Sequence, residues 1–154
     1  MGNIFVVERS TEIAAAPAAL HALIVSLPEW QKWSPWEDID PHLGRTYTGP
    51  TSGVGSSYAW VGNRKAGAGT MKVTEATAEH IAIDITFTRP FKAANTATFT
   101  LTPLENGSTL VVWRMAGKQP LIMRILAPVI NQDRMLGKDF EKGLSRLKTV
   151  AENH

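Results

Sequence analysis

The strongest constraint on the fold is a run of alternating side chains between residues 80 and 89. Apolar residues occupy every second position, where Ile81, Ile83, Ile85 and Phe87 alternate with Ala82, Asp84, Thr86 and Thr88. A period of two predicts a β-strand with one buried and one exposed face. Such a strand needs partner strands and a cover for its apolar face, so the chain must build a sheet that packs against another layer.

Further strands are predicted on both sides of this run. They cover residues 3–13, 57–61, 68–75, 96–102 and 109–115, with a short edge strand near 45–48. The pair Asn106-Gly107 lies between the last two strands and is a strong hairpin-turn signal. Since consecutive strands are joined by short loops, we expect an antiparallel sheet of six to seven strands.

The remaining apolar residues recur at helical spacing. Leu20, Leu23, Ile24 and Leu27 predict a short helix that begins at Pro17 and is closed by Pro28, and a second short helical segment follows until Pro35. After residue 120 a spacing of three or four continues from 121 to 151 and predicts a long C-terminal helix with a kink at Pro128. This helix is the only large cover available for the sheet.

Length, charge and cysteine content narrow the class of protein. A chain of 154 residues suggests one domain, 1–154, with a core of its own. The absence of cysteine excludes disulfides, thiolate metal sites and cysteine nucleophiles. The net charge of +2 comes from scattered residues, so no nucleic-acid footprint is expected. No signal peptide or membrane span is predicted, and we expect a soluble cytoplasmic protein.

Four stretches of the sequence form a recognisable set. They are residues 7–17, the segment Trp30-Gln31-Lys32-Trp33-Ser34-Pro35-Trp36 with Asp40-Pro41, residues 47–60, and residues 69–91 together with Trp113-Arg114-Met115 and 139–148. In these stretches the chain resembles the polyketide cyclase/dehydrase-like branch of the SRPBCC superfamily, also called START-like or birch-pollen-allergen-like. The resemblance extends over nearly the whole chain.

The resemblance implies an α+β helix-grip fold. In this fold a curved antiparallel sheet wraps around a long C-terminal helix, and two short helices follow the first strand. A deep, mostly apolar cavity lies between sheet and helix, where family members bind lipids, sterols, hormones or polyketides and a minority carry out chemistry. Because a fold alone does not fix a function, the function must be inferred from the residues that line the cavity.

Our leading hypothesis is the binding of a small hydrophobic or amphipathic ligand, such as a lipid, an isoprenoid or an aromatic, polyketide-like metabolite. No cofactor and no metal is expected. Strand alternation and helix spacing nominate the residues that line the cavity. They are Trp33, Trp36, Tyr58, Trp60, Met71, Ile83, Ile85, Phe87, Phe99, Trp113, Met115, Leu126, Val129, Ile130 and Asp133. The alternative for each is simple packing of the core.

An enzyme of the cyclase or dehydratase type is the second hypothesis. Such chemistry needs a positioned acid or base inside the cavity. Asp133 breaks the apolar pattern of the last helix and is the candidate, with Tyr58 as a helper. The alternative for Asp133 is an ion pair with an arginine or exposure to solvent. Tyr47 and Tyr58 also offer hydroxyl groups to a ligand at the cavity mouth.

A protein-interaction module is the third hypothesis. An exposed segment with Trp30, Trp33 and Trp36 would be the natural contact, since aromatic residues are enriched at interface hot spots. The alternative is that these rings cap one end of the core. A homodimer through this segment or a sheet edge stays open. The nearby run Glu37-Asp38-Ile39-Asp40 lacks the spacing of a calcium loop and is expected to be a solvated acidic loop.

Overall fold

The structure is a computed structural model that describes residues 4–37, 39–64, 66–89, 92–118 and 132–153. Within these described residues it contains seven strands, two α-helices and one 3-10 helix. The strands are β1 (Ile4–Ile13), β2 (Gly44–Thr48), β3 (Ser57–Val61), β4 (Ala68–Ala76), β5 (His80–Arg89), β6 (Ala93–Pro103) and β7 (Thr109–Lys118). The helices are α1 (Pro17–Val25), the 3-10 helix (Leu27–Lys32) and α2 (Gln132–Glu152).

All seven strands join one antiparallel sheet in the order β1-β7-β6-β5-β4-β3-β2. Strands β2 to β7 form a meander in which each strand pairs with the next, and β1 closes the sheet beside β7. The curved sheet, the C-terminal helix and the short helices after β1 are the predicted helix-grip architecture, which is confirmed. The hairpin turn is also confirmed, since Gly107 adopts a φ of 85° that glycine tolerates without strain.

The helix boundaries differ from the sequence expectation at two places. Helix α1 ends at Val25 rather than at Leu27, because Ser26 is extended. Pro28 then lies in the first turn of the 3-10 helix, where its missing N–H group costs nothing. Pro28 therefore helps to begin the second helix and does not close the first. The predicted residues 121–131 of the long helix, with Pro128, lie outside the described part of the chain.

Two of the three tryptophans of this segment lie inside the core, whereas the third hypothesis required an exposed contact surface. Trp30 is 5% exposed and Trp33 is completely buried. Their indole nitrogens donate hydrogen bonds to the carbonyl oxygens of α1 residues, at 2.8 Å from Trp30 to Ile24 and at 2.9 Å from Trp33 to Leu23. These bonds satisfy the polar edges of both rings, so the segment can be buried at low cost.

The two tryptophans belong to an aromatic core that joins the sheet to α2. We use this term for Trp30, Trp33, Phe99, Trp113 and Phe140, all of them 5% exposed or less. The ring of Phe140 on α2 stacks on Trp113 of β7 at a centroid distance of 4.1 Å. The face of the sheet that carries Trp113 is therefore the one covered by α2, and we call it the inner face.

The acidic loop after Trp36 is built into the fold, which corrects the expectation of a solvated loop. Asp40 is 8% exposed and accepts hydrogen bonds from the backbone N–H groups of His42 and Asn63, both at 2.8 Å. Glu37 forms an ion pair with Arg45 of β2. These carboxylates hold the loop to the edge of the sheet. Within the described ranges no three acidic or histidine side chains are grouped as metal ligands.

Candidate functional site

Most of the predicted ligand-binding residues lie on the inner face or against it, as strand alternation suggested. They differ in how completely they are covered. Trp33, Met71, Ile83, Ile85, Phe99, Trp113 and Met115 are buried, whereas Trp36, Tyr58, Trp60 and Phe87 are half-buried. Leu126, Val129 and Ile130 and the side chain of Asp133 lie outside the described residues. The half-buried members keep part of their surface accessible to solvent.

Four aromatic side chains form a continuous strip at the β2–β5 side of the inner face. This aromatic strip consists of Tyr47, Tyr58, Trp60 and Phe87. Tyr47 stacks on Tyr58 at 5.0 Å and Tyr58 on Trp60 at 5.9 Å, while Trp60 meets Phe87 edge to face at 5.6 Å, each distance joining ring centroids. The strip runs across β2, β3 and β5, so it offers an apolar surface on several strands.

A glycine makes the strip continuous. Gly69 of β4 pairs with Trp60 on one side and with Phe87 on the other. A Cβ atom at position 69 would lie 2.7 Å from Cη2 of Trp60, closer than carbon atoms pack. The missing side chain therefore leaves the room in which the Trp60 ring crosses β4 and reaches Phe87.

Polar groups border the strip at its β2 end. Gln31 of the 3-10 helix donates a hydrogen bond from Nε2 to the hydroxyl of Tyr47 at 2.8 Å. Arg45 pairs with Glu37, yet its buried Nε has no hydrogen-bond partner. Of this group, the sequence pattern suggested Tyr47 as a hydrogen-bond donor but gave no signal for Gln31 or Arg45, because their contacts join different secondary-structure elements.

The environment of Tyr58 keeps its hydroxyl protonated. Burial raises the pKa of Tyr58 to about 12, and the negative charge of Glu37 adds to this effect while Arg45 opposes it. Burial also raises the pKa of Tyr47. Desolvation disfavours the phenolate. At neutral pH the Tyr58 hydroxyl is therefore a hydrogen-bond donor and not a base.

Titration tests this environment directly, because Tyr47 and Tyr58 are the two tyrosines of the chain. We expect the tyrosinate absorbance band of the folded protein to rise above pH 10, with the Tyr58 step centred near pH 12. Since the pKa is raised on folding, its contribution to stability is complete below pH 10 and is lost as the pH rises towards 12.

Single variants assign the steps of this titration. Tyr58→Phe should remove the later step, and Tyr47→Phe serves as the matched control that keeps it. Circular dichroism at each pH confirms that the protein is still folded. A Tyr58 step with the ordinary pKa near 10 in the folded protein would contradict the buried environment.

One inner-face residue that sequence reasoning missed is Asn95 of β6. It is 8% exposed, and its Oδ1 lacks a hydrogen-bond partner. The sequence contained a signal for this position, because Asn95 lies two residues before Ala97 and belongs to the same inward-facing alternation as Ala97, Phe99 and Leu101. Trp113 Nε1 is a further buried polar atom without a partner, and its ring is enclosed by the aromatic core.

A separate open groove of about 710 Å³ lies beside α1. It is bordered by α1, the start of the 3-10 helix and the loop 51–54. None of the residues predicted to bind a ligand lines this groove. It is therefore separate from the aromatic strip and from the other predicted ligand-binding residues. No described helix is long and apolar enough to cross a membrane.

Structures with this architecture are known from several sources. A hypothetical protein from Helicobacter pylori superposes with a TM-score of 0.72 at 8% identity, covering 96% of this chain and 88% of its own. Norcoclaurine synthase from Thalictrum flavum superposes with a TM-score of 0.64 at 13% sequence identity, covering 98% of this chain and 88% of its own. Ara h 8.0201 superposes with a TM-score of 0.66 at 12% sequence identity, covering 98% of this chain and 99% of its own. At such identities the likeness concerns the fold alone.

Sequence comparison identifies the family. No curated protein matches the chain. Residues 5–152, however, match the sequence profile of the family described as polyketide cyclase / dehydrase and lipid transport. The match spans nearly all of the chain, including every strand of the sheet and α2, so this protein belongs to the polyketide cyclase / dehydrase and lipid transport family.

Proposed function

We propose that this protein binds a small hydrophobic or amphipathic molecule on the inner face of the sheet, with the aromatic strip as the contact surface. The observation that carries the proposal is the half-buried state of Tyr58, Trp60 and Phe87. Elsewhere on the same face, Phe99 and Trp113 are completely enclosed. Large rings that face inward and still keep accessible surface suit an apolar ligand, because ligand sites are concave and mostly apolar.

The family supports the same class of ligand. Its description joins lipid transport to polyketide cyclisation and dehydration, and both kinds of molecule are largely apolar. The polar border of the strip adds an amphipathic element, since the hydroxyls of Tyr47 and Tyr58 stay protonated at neutral pH. A lipid, an isoprenoid or an aromatic metabolite fits this combination.

A cyclase or dehydratase activity is the alternative, and it stays a prediction. One observation favours a role for Tyr58, whose protonated hydroxyl can donate a hydrogen bond to a carbonyl oxygen of a bound substrate. Asp133, the proposed acid or base, has its side chain outside the described residues. If Asp133→Asn and Tyr58→Phe both leave the turnover of a polyketide-like substrate unchanged, these assignments are wrong.

Binding of an uncharged fluorescent dye tests the proposed site. N-phenyl-1-naphthylamine increases its emission in apolar surroundings, and we expect it to bind the wild-type protein. Trp60→Ala removes the central ring of the strip and should weaken binding about tenfold, the effect of losing ~1.4 kcal/mol of aromatic contact. The dissociation constant is measured by titration of the dye.

Val61→Ala is the matched control, because Val61 neighbours Trp60 on β3 but is 57% exposed on the other face. Its affinity for the dye should equal that of the wild type. Thermal unfolding of both variants separates lost binding from lost folding, since the Trp60 indole also donates a hydrogen bond to the carbonyl oxygen of Ala66 at 2.9 Å. Equal affinities of the two variants would place the dye elsewhere and overturn the assignment to the strip.

Native mass spectrometry of the freshly purified protein provides the second test. A reproducible mass increase that disappears on denaturation would reveal a bound small molecule, and its released mass would indicate the chemical class. A protein that neither binds the dye nor carries such a molecule would contradict the proposed function.

A further inference from the structure

The carboxamide of Asn95 presents an unmet hydrogen-bonding group within the apolar inner face. The side chain lies on the same face as Ala97 and Phe99, and the residue is only 8% exposed. Among the described residues, its Oδ1 has no hydrogen-bond donor. Leaving such a group without a partner destabilises the folded protein, and buried polar groups in native proteins are nearly always satisfied.

The neighbours of Asn95 in the sheet supply no side-chain donor. Asn95 is paired with Ile85 on β5 and with Gly117 on β7, and Met71 follows Ile85 in the same row. A Cβ atom at position 117 would overlap Oδ1 of Asn95, so the amide lies over the glycine. The surroundings thus make room for the amide group but leave its oxygen unpaired.

Asn95 is separated from the aromatic strip by a distance similar to the length of one aromatic ring system. Phe87 pairs with Ala93, two residues before Asn95, which makes Phe87 and Asn95 diagonal neighbours on adjacent strands. Such neighbours are about 7–8 Å apart. A molecule whose apolar body covers Phe87 therefore brings a polar substituent next to Asn95, whose Oδ1 is enclosed in this structure and is reached only when the side chains around it move.

Charge on the inner face favours an uncharged substituent. Arg9 pairs with Glu141 of α2 at 3.0 Å, and Arg45 pairs with Glu37. A carboxylate or phosphate on the ligand would meet a carboxylate beside each of these arginines. Asn95 Oδ1 is itself an acceptor and repels anions, whereas it accepts a hydrogen bond from a hydroxyl or an N–H group.

We infer that the molecule bound on the inner face is an uncharged alcohol, phenol or amide, and that its hydroxyl or N–H group donates a hydrogen bond to Oδ1 of Asn95. This inference rests on the proposed function and adds the polar anchor of the ligand. It makes Asn95 a specificity-determining residue, with the aromatic strip holding the apolar body.

Three probes of similar size test the inference: 2-naphthol, 2-methoxynaphthalene and 2-methylnaphthalene. The first offers a hydrogen-bond donor, the second offers an acceptor alone, and the third offers neither. Dissociation constants are obtained at pH 7 by competition against N-phenyl-1-naphthylamine and are corrected for the affinity of the dye for each protein. Comparing ratios between proteins removes the different hydration of the probes.

In the variant Asn95→Leu we expect the preference for 2-naphthol over 2-methylnaphthalene to fall about fivefold to tenfold relative to the wild type, the effect of one hydrogen bond. The affinity for 2-methylnaphthalene itself should be retained. Thr96→Val is the matched control, because Thr96 adjoins Asn95 but is exposed on the opposite face. Its preference should equal that of the wild type. If Asn95→Leu does not fold, Asn95→Ala gives the same comparison.

Each outcome has a separate meaning. If all three probes bind and the preference is the same in the wild type and the Asn95 variant, the inference is wrong while the proposed function stands. If 2-methoxynaphthalene loses affinity in the variant as 2-naphthol does, Asn95 acts as a donor and the inference is overturned. If the dye binds the wild type but none of the probes displaces it, the inference is overturned, whereas a wild type that does not bind the dye at all contradicts the proposed function.

Discussion

Trp33→Ala is expected to lower the free energy of unfolding by about 3–5 kcal/mol, as truncation of a buried aromatic residue does. Trp33 is completely buried and lies 4.4 Å from Trp30 and 5.7 Å from Trp113 between ring centroids. The substitution leaves a cavity where the 3-10 helix meets the sheet, and it removes the hydrogen bond to the Leu23 carbonyl oxygen. Urea denaturation followed by circular dichroism measures the effect.

Two controls separate the contributions of the Trp33 ring. Trp33→Phe keeps most of the ring and loses the hydrogen bond, so a smaller loss of about 1–2 kcal/mol is expected. Val61→Ala changes a residue that is 57% exposed and should shift the free energy by less than ~0.5 kcal/mol. A Trp33→Ala protein as stable as the Val61→Ala protein would show that the tryptophan segment is not part of the core.

Gly143→Leu is the second substitution with a large expected effect, a loss of about 3 kcal/mol from overpacking. Gly143 lies where α2 packs closely against Pro35 and β7: a Cβ atom there would be 2.9 Å from Cδ of Pro35 and 3.0 Å from Cζ3 of Trp113. Neither neighbour can turn away, because one is a proline ring and the other is a fully buried indole. The leucine must therefore push α2 off the aromatic core. Urea denaturation again measures the loss.

Gly137→Ala is the matched control on the same helix. The atoms nearest to a Cβ at position 137 belong to the guanidinium of Arg9, the far end of a flexible side chain that can move. Alanine gains about 1 kcal/mol of helix propensity over glycine, while displacing the partly exposed pair of Arg9 with Glu141 costs about as much or less. The free energy of unfolding should stay within ~1 kcal/mol of the wild type. Equal effects of the two substitutions would contradict the close contact at Gly143.

Much of the fold was predictable from short-range sequence patterns. The alternation at Ile81, Ile83 and Ile85 determined both the strand and its buried face, because a period of two fixes which side chains share a face. The glycine at 107 determined a hairpin turn, since its positive φ is strained for other residues. The inner-face positions of Trp60, Phe87 and Phe99 followed from the same alternation, and the helical spacing of apolar residues after residue 120 predicted the layer that covers them.

Only the tertiary structure decided which of these inward residues keep accessible surface. A period of two assigns a face, but the burial of Trp33 and the partial exposure of Trp60 depend on the helices that cover each part of the sheet. The unpaired oxygen of Asn95 and the contacts of Gln31, Glu37 and Arg45 depend on how separate secondary-structure elements pack together. Hydrogen-bond partners and the degree of burial are set by the packing of separate elements against each other, and a local sequence period carries no information on that packing. The sequence could therefore assign the candidate site to one face of the sheet. The exposed surface and the polar contacts of the site were determined only by the tertiary structure.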